Sequence, residues 1–235
     1  MNTQSMEERF YGAGLPYLQD SNYSGKLIVI EGADCSGRST QTMLLKQWLE
    51  FNGHAVMDTG IKRSDLVSSV IDQAKKGNVL GKTTLSLLYA TDFADQLENK
   101  IIPALRAGFI VIADRYIFTL MVRDLVRGAD PDWLHELFGF ALIPDLTFYL
   151  QLAPEVLLHR HFQKRGYLEY WESGMDLSLS ADMFESFHRY QTMCQEQFDE
   201  LAEEFDFVTL QGARSIQAVQ ADLRLHVSRL LGEEK

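Results

Sequence analysis

The stretch GADCSGRST at residues 32–40 constrains this chain more than any other. Gly32, four intervening residues, Gly37, Arg38, Ser39 and Thr40 nearly reproduce the phosphate-binding pattern G-x4-G-K-[ST]. The apolar, β-branched run KLIVIEG precedes it, and STQTMLLKQWLEF, which reads as a helix closed near Gly53, follows it. Glycine permits a tight loop and close approach of an anion to the backbone. Successive N–H groups then converge on phosphate oxygens, and the helix N-terminus adds free amides and a favourable dipole. Gly32, Ala33, Asp34, Cys35, Ser36, Gly37, Arg38, Ser39 and Thr40 are therefore expected to bind the phosphates of ATP, with Ser39 as a ligand for Mg2+. Arg38 stands where the pattern has Lys. It keeps the charge but replaces a compact ammonium with a planar fork. A glycine-rich turn without ligand is the alternative, and the flanking strand and helix weigh against it.

The rest of the chain alternates in kind. HAVMD, FIVIAD, LTFYLQL and DFVTL read as further strands, the apolar ones suited to burial on both faces of a parallel sheet. Helical patterns fall at residues 65–76, 83–107, 154–166, 180–204 and 214–232, with Pro103 placed to kink or divide the second. The expectation is an α/β fold with a central parallel sheet of about five strands and helices on both faces. Residues 1–25 read as an N-terminal extension, residues 26–235 as one domain, and EYWESGMDLSLS as its most loop-like interior segment.

Length and charge narrow the function. The 235 residues suffice for one large α/β domain, and 46% apolar with 23% charged residues suits a globular protein. A net charge of −11, from 22 basic and 33 acidic residues, argues against sequence-independent binding of a nucleic acid polymer. It leaves room for a nucleotide held by a few local cations. No run of about 18 apolar residues appears, so no membrane span is expected. Cys35 and Cys194 form no disulfide framework or metal spacing, and a reducing cytoplasm is the expected compartment. Cys35 lies near phosphate-loop amides that can lower its pKa, although loop packing explains it equally well.

Several motifs, in order, resemble the thymidylate kinase family of nucleoside monophosphate kinases, over roughly residues 26–225. EGADCSGRSTQ resembles its phosphate loop, including the internal Asp34; LLYA resembles its acceptor-binding helix, with Tyr89 near the base; Asp114, Arg115 and Tyr116 match its DRY sequence; PDLTFYLQL resembles a later strand. The basic segment from Arg160 to Arg165 matches its mobile lid, within a lid region of about 160–180. The resemblance implies a P-loop nucleotide kinase fold and phosphoryl transfer from ATP, with Mg2+, to a nucleoside monophosphate, best dTMP. It implies that Asp34, Arg63 and Arg115 orient the acceptor, that Asp114 supports the metal, and that Arg160, Lys164 and Arg165 close over the transferring phosphate. It also implies a homodimer, the state of many family members. A structural ion pair remains the alternative for Asp114–Arg115, core packing for Tyr89, and a solvated basic helix face for Arg160 and Lys164.

The chain departs from the family at Arg38 and at Phe93, which stands where the family has an arginine that contacts the acceptor. Phe93 offers no donor and is expected either to pack on the base or to fill volume. Arg123 is a candidate replacement, or else a surface ion pair. These departures keep two other readings open: a kinase for another nucleotide or a small molecule, and a nucleotide-binding regulatory protein with weak catalysis.

Overall fold

The computed structural model describes residues 9–18, 23–77 and 80–233. Of the expected extension, residues 1–8 and 19–22 lie outside the described residues. Five parallel strands form one sheet in the order β2-β3-β1-β4-β5: β1 (Lys26–Glu31), β2 (Val56–Gly60), β3 (Ile110–Asp114), β4 (Leu146–Gln151) and β5 (Val208–Gln211). β1 is central, pairing with β3 from Lys26↔Ile110 to Ile30↔Asp114 and with β4 from Ile28↔Leu146 to Glu31↔Tyr149.

Alternation along the strands builds two cores. Leu27, Val29, Val111, Ala113 and Tyr149 face one layer, while Ile28, Ile30, Ile110, Ile112, Phe148 and Leu150 face the other. The apolar runs are continuous because both sheet faces are covered. The second layer is closed by α1 (Arg38–Phe51), through Leu45 and Leu49, and by α9 (Ile216–Leu231), through Val219, Leu223 and Val227. The first layer takes α3 (Lys82–Gln96), α5 (Ile117–Leu125) and α8 (Met183–Glu204), with α2 (Ser68–Gly77) and α6 (Pro131–Phe138) packed outside them.

The expected helix at 83–107 is interrupted. α3 runs into a π turn at Leu97–Ile101, and α4 (Ile102–Arg106) begins with Pro103 in its first turn. Proline has no N–H to give the carbonyl four residues back, so the ladder shifts there rather than bending at the proline alone. α5 and α6 were not among the expected helices, and α5 is apolar and buried along most of its length, which blurs a helical period. α7 (Pro154–Arg165) ends at Gly166, whose φ of 77° suits glycine at a helix C-terminus. No helix among the described residues is long and apolar enough to cross a membrane.

The described part of the extension is docked. Tyr11 N donates to Ala141 O at 3.1 Å and Gly12 N to Gly139 O at 2.8 Å. The Tyr11 ring meets Phe118 and Phe205 edge-on, at 5.8 and 5.1 Å. Phe118 is fully buried and also contacts Phe207 at 4.6 Å. Phe118→Ala removes the centre of this aromatic cluster and is expected to cost about 3–5 kcal/mol of unfolding free energy. Denaturant titration checks this, and a loss below about 1 kcal/mol would show that the cluster does not hold the first layer together.

Candidate active site

The phosphate loop runs between β1 and α1 at the C-terminal edge of the sheet, where open α/β sheets place ligands. Gly32 has φ 144°, and a Cβ there would sit 2.9 Å from Leu150 O. Gly37, at φ 101°, precedes α1 and gives no side-chain cap, and the first turn of α1 carries no acidic residue. The free N–H groups and the positive dipole end are thus left for an anion.

Arg38 and Ser39 both turn to the end of β3. Arg38 Nη1 lies 3.1 Å from Asp114 Oδ1, and Ser39 Oγ donates to Asp114 Oδ2 at 2.7 Å. Burial, reinforced by nearby Arg115, pushes the Arg38 pKa down to about 10, so it stays cationic near neutral pH. The cleft in front of the loop measures about 650 Å³ and is also lined by Lys164, Arg165 and Arg214.

A second cavity, of about 540 Å³, opens on the other side of Asp34. Asp34, Ile61, Arg63, Arg115 and Arg165 line both spaces. Asp34 is the pivot of the boundary: Arg115 and Arg123 both bond its carboxylate, the latter at 3.0 Å. Burial alone would raise Asp34, but the charges of Arg115, Arg123 and Arg38 hold it well below the ordinary carboxylate range. Arg115 adopts φ 76°, a left-handed conformation rare outside glycine, while its N–H bonds Ile30 O at 3.1 Å. Directly beneath, the buried Glu31 accepts from Tyr116 N at 2.8 Å and Thr119 N at 3.1 Å, and so fixes the first turn of α5. Burial raises the Glu31 pKa.

Arg63 sits on the turn after β2 and bonds Asp58 at 3.0 Å. That turn is organised from α3: Asp92 accepts from Lys62 N at 2.7 Å, Ser64 N at 2.9 Å and Gln96 Nε2 at 2.8 Å. Tyr89, one turn earlier on α3, belongs to the core and also lines the second cavity. Phe93 does not line the cavity. It packs in the core against Tyr116 at 4.9 Å and Phe140 at 5.6 Å, the volume-filling alternative rather than the one beside an acceptor base. Arg123 does line the cavity, and the surface-pair alternative for it falls away.

Arg160 is already engaged. It donates to Ser36 O at 2.8 Å and Gly212 O at 2.9 Å, bracing the phosphate loop from behind. Arg165 bonds Glu169 and Glu172, each at 2.8 Å, on the segment that follows α7. His161 is buried against Phe187, with Nδ1 3.4 Å from Glu172 Oε2, and burial pushes its pKa down. Burial also raises the Cys35 thiol, in the direction opposite to activation by the loop amides.

Sequence reasoning missed Arg127, Asp176, Trp171, Tyr190 and Lys75, which share the second cavity or its roof. Arg127 bonds Asp176 through Nε at 2.8 Å and Nη2 at 3.1 Å, bonds Tyr190 Oη at 3.0 Å, and lies over the Trp171 ring at 5.9 Å. This ties the segment between α7 and α8 to α5. The only sequence signal was the spacing of Arg127 four residues after Arg123, since its partners lie about 45–65 residues away along the chain.

Comparison with known proteins gives a concordant result. The family model described as Thymidylate kinase matches residues 30–223. A protein named probable thymidylate kinase 2 from Saccharolobus solfataricus is 40% identical over 210 residues, covering 89% of this chain and 96% of that relative. A probable thymidylate kinase from Thermococcus kodakarensis is 29% identical over 217 residues, covering 88% and 99%. A probable thymidylate kinase from Pyrococcus horikoshii is 36% identical over 163 residues, covering 65% and 77%.

The Asp92 network makes a direct prediction. Asp92→Ala strands two turn N–H groups, Ser64 being fully buried, and is expected to cost about 2–4 kcal/mol. Hydrogen exchange at the Lys62 and Ser64 amides should accelerate roughly 100-fold or more. Exchange there unchanged from the wild type would show that the turn holds without Asp92.

Proposed function

The chain belongs to the thymidylate kinase family, and from that premise we propose that it transfers the terminal phosphoryl group of ATP to dTMP, giving ADP and dTDP. The observation that carries this is the meeting of two ligand-sized spaces at Asp34 and Arg115, one fronting the phosphate loop and the other walled by cations and aromatic rings. ATP takes the first space and dTMP the second, so both phosphates point at the shared boundary.

A phosphate oxygen of dTMP attacks the γ-phosphorus of ATP. The bond from that phosphorus to the β–γ bridging oxygen breaks, and ADP leaves with its electron pair. Such transfer needs positioning and charge stabilisation more than covalent chemistry. Gly32–Thr40 hold the donor phosphates. Arg38, Lys164 and Arg165 supply positive charge beside the transferring group, and Arg160 keeps the loop in shape. Arg115 and Arg63 hold the acceptor phosphate, Arg115 offering a planar fork aimed by Asp34. Tyr89 and Trp171 supply flat apolar surface for the base. Phe93 contributes through the core, by supporting Tyr116, and Arg123 provides the guanidinium that Phe93 lacks.

Ser39 Oγ and the Asp114 carboxylate are adjacent hard oxygen donors, a set that fits Mg2+ held by few protein ligands and the substrate phosphates. Bound there, Mg2+ neutralises phosphate charge. The proposal includes a homodimer, for which Val70 on α2 and Leu87 on α3 offer exposed apolar side chains. It also includes a reducing cytoplasm, in keeping with two free thiols at Cys35 and Cys194.

Purified protein with Mg-ATP is expected to form dTDP and ADP in equal amounts when dTMP is present. Saturable ATP binding without dTMP-dependent ADP would overturn the reading in favour of a regulatory nucleotide binder. Arg115→Ala is expected to lower kcat/KM for dTMP by about 10- to 100-fold, with ATP affinity changed less than about threefold. Equal losses for both nucleotides would remove Arg115 from the acceptor side.

A further inference from the structure

α2 carries Lys75 into the wall of the second cavity. Its carbonyl accepts from Trp171 Nε1 at 3.3 Å, which binds the last turn of α2 to the segment roofing the cavity. The neighbouring Lys76 is exposed to solvent, whereas Lys75 is half-buried. Among the described residues, the Lys75 ammonium has no hydrogen-bond or ion-pair partner.

The surrounding carboxylates are committed elsewhere. Asp34 is shared by Arg115 and Arg123, Glu172 pairs with Arg165, Asp176 with Arg127, and Asp72 with Lys62. Asp124 takes a hydrogen bond from Ser86. Burial pushes the Lys75 pKa down to about 8, helped by the charges of Arg123 and Lys62 and opposed by Asp34 and Glu172. The group is still mostly protonated at neutral pH. A cation held partly out of water, near two other cations and with no carboxylate bonded to it among the described residues, carries a desolvation cost. A multiply charged anion in the cavity reverses that cost.

We propose that Lys75 is a specificity-determining ligand of the acceptor's phosphate, selecting a phosphorylated nucleoside over the free nucleoside. This rests on the acceptor reading of the second cavity given above. The phosphate is the partner, rather than the base, because it is the acceptor's one multiply charged anionic group and Lys75 lines the same cavity as Asp34 and Arg115. In this arrangement Lys75 and Arg115 approach one dianion from two elements, α2 and the turn after β3. The link from Trp171 to Lys75 O ties closure of the roof to the position of that cation.

The test is calorimetric binding of dTMP, thymidine and ATP, each alone, to the wild type, Lys75→Met and Lys75→Arg. Lys75→Met should weaken dTMP by about tenfold or more and leave thymidine and ATP within about twofold. Lys75→Arg should retain most of the dTMP affinity. An unchanged ratio of dTMP to thymidine affinity in Lys75→Met would overturn the proposal, whether both fall together, as for a packing role, or neither moves. A wild type that binds ATP but neither dTMP nor thymidine would instead overturn the acceptor reading beneath it.

Discussion

One carboxylate between two guanidinium groups organises this molecule. Asp34 belongs to the phosphate loop, Arg115 to the turn after β3, and Arg123 to α5. Their ion triad therefore joins three segments at the line where the two cavities meet. Each charge is largely buried, so removing one partner would leave the others desolvated and unpaired, a cost of several kcal/mol. The left-handed backbone of Arg115 is sustained by this arrangement and by the hydrogen bond from its N–H to Ile30 O.

The scaffold beneath the triad has a simple logic. β1 lies at the middle of the sheet, with β3 and β4 beside it, so residues just past the ends of these strands fall together. Glu31 closes β1 by capping α5, which sets where Arg123 emerges. Asp92, reaching from α3 to the turn after β2, does the same for Arg63. In both cases a buried carboxylate satisfies backbone N–H groups that would otherwise be stranded, and a cation on the segment so held gains a fixed position. The scaffold thus sets the cations by ordering backbone first.

The sequence disclosed what short-range chemistry encodes. The phosphate loop was legible because glycines, a strand and a helix must occur within a dozen residues of one another. The strands were legible because burial on both faces leaves continuous apolar runs such as FIVIAD. Between the two alternatives left for Phe93 the sequence could not choose, because only its rotation about α3 turns it into the core beside Tyr116. Arg160 looked like a free lid cation, yet the carbonyls that hold it, Ser36 and Gly212, come from distant turns. Arg127 and Lys75 were invisible for a related reason: their significance depends on which carboxylates are already paired, and that is a property of the folded cavity.

On the proposed function, donor and acceptor are bound together in two spaces joined at Asp34. A compound linking adenosine to thymidine through a polyphosphate chain tests it most directly, by calorimetric titration with ATP and dTMP as competitors. One molecule should bind per chain, with affinity well above that of either nucleotide, and exclude both ATP and dTMP. A compound that displaces ATP while dTMP still binds at undiminished affinity would contradict it.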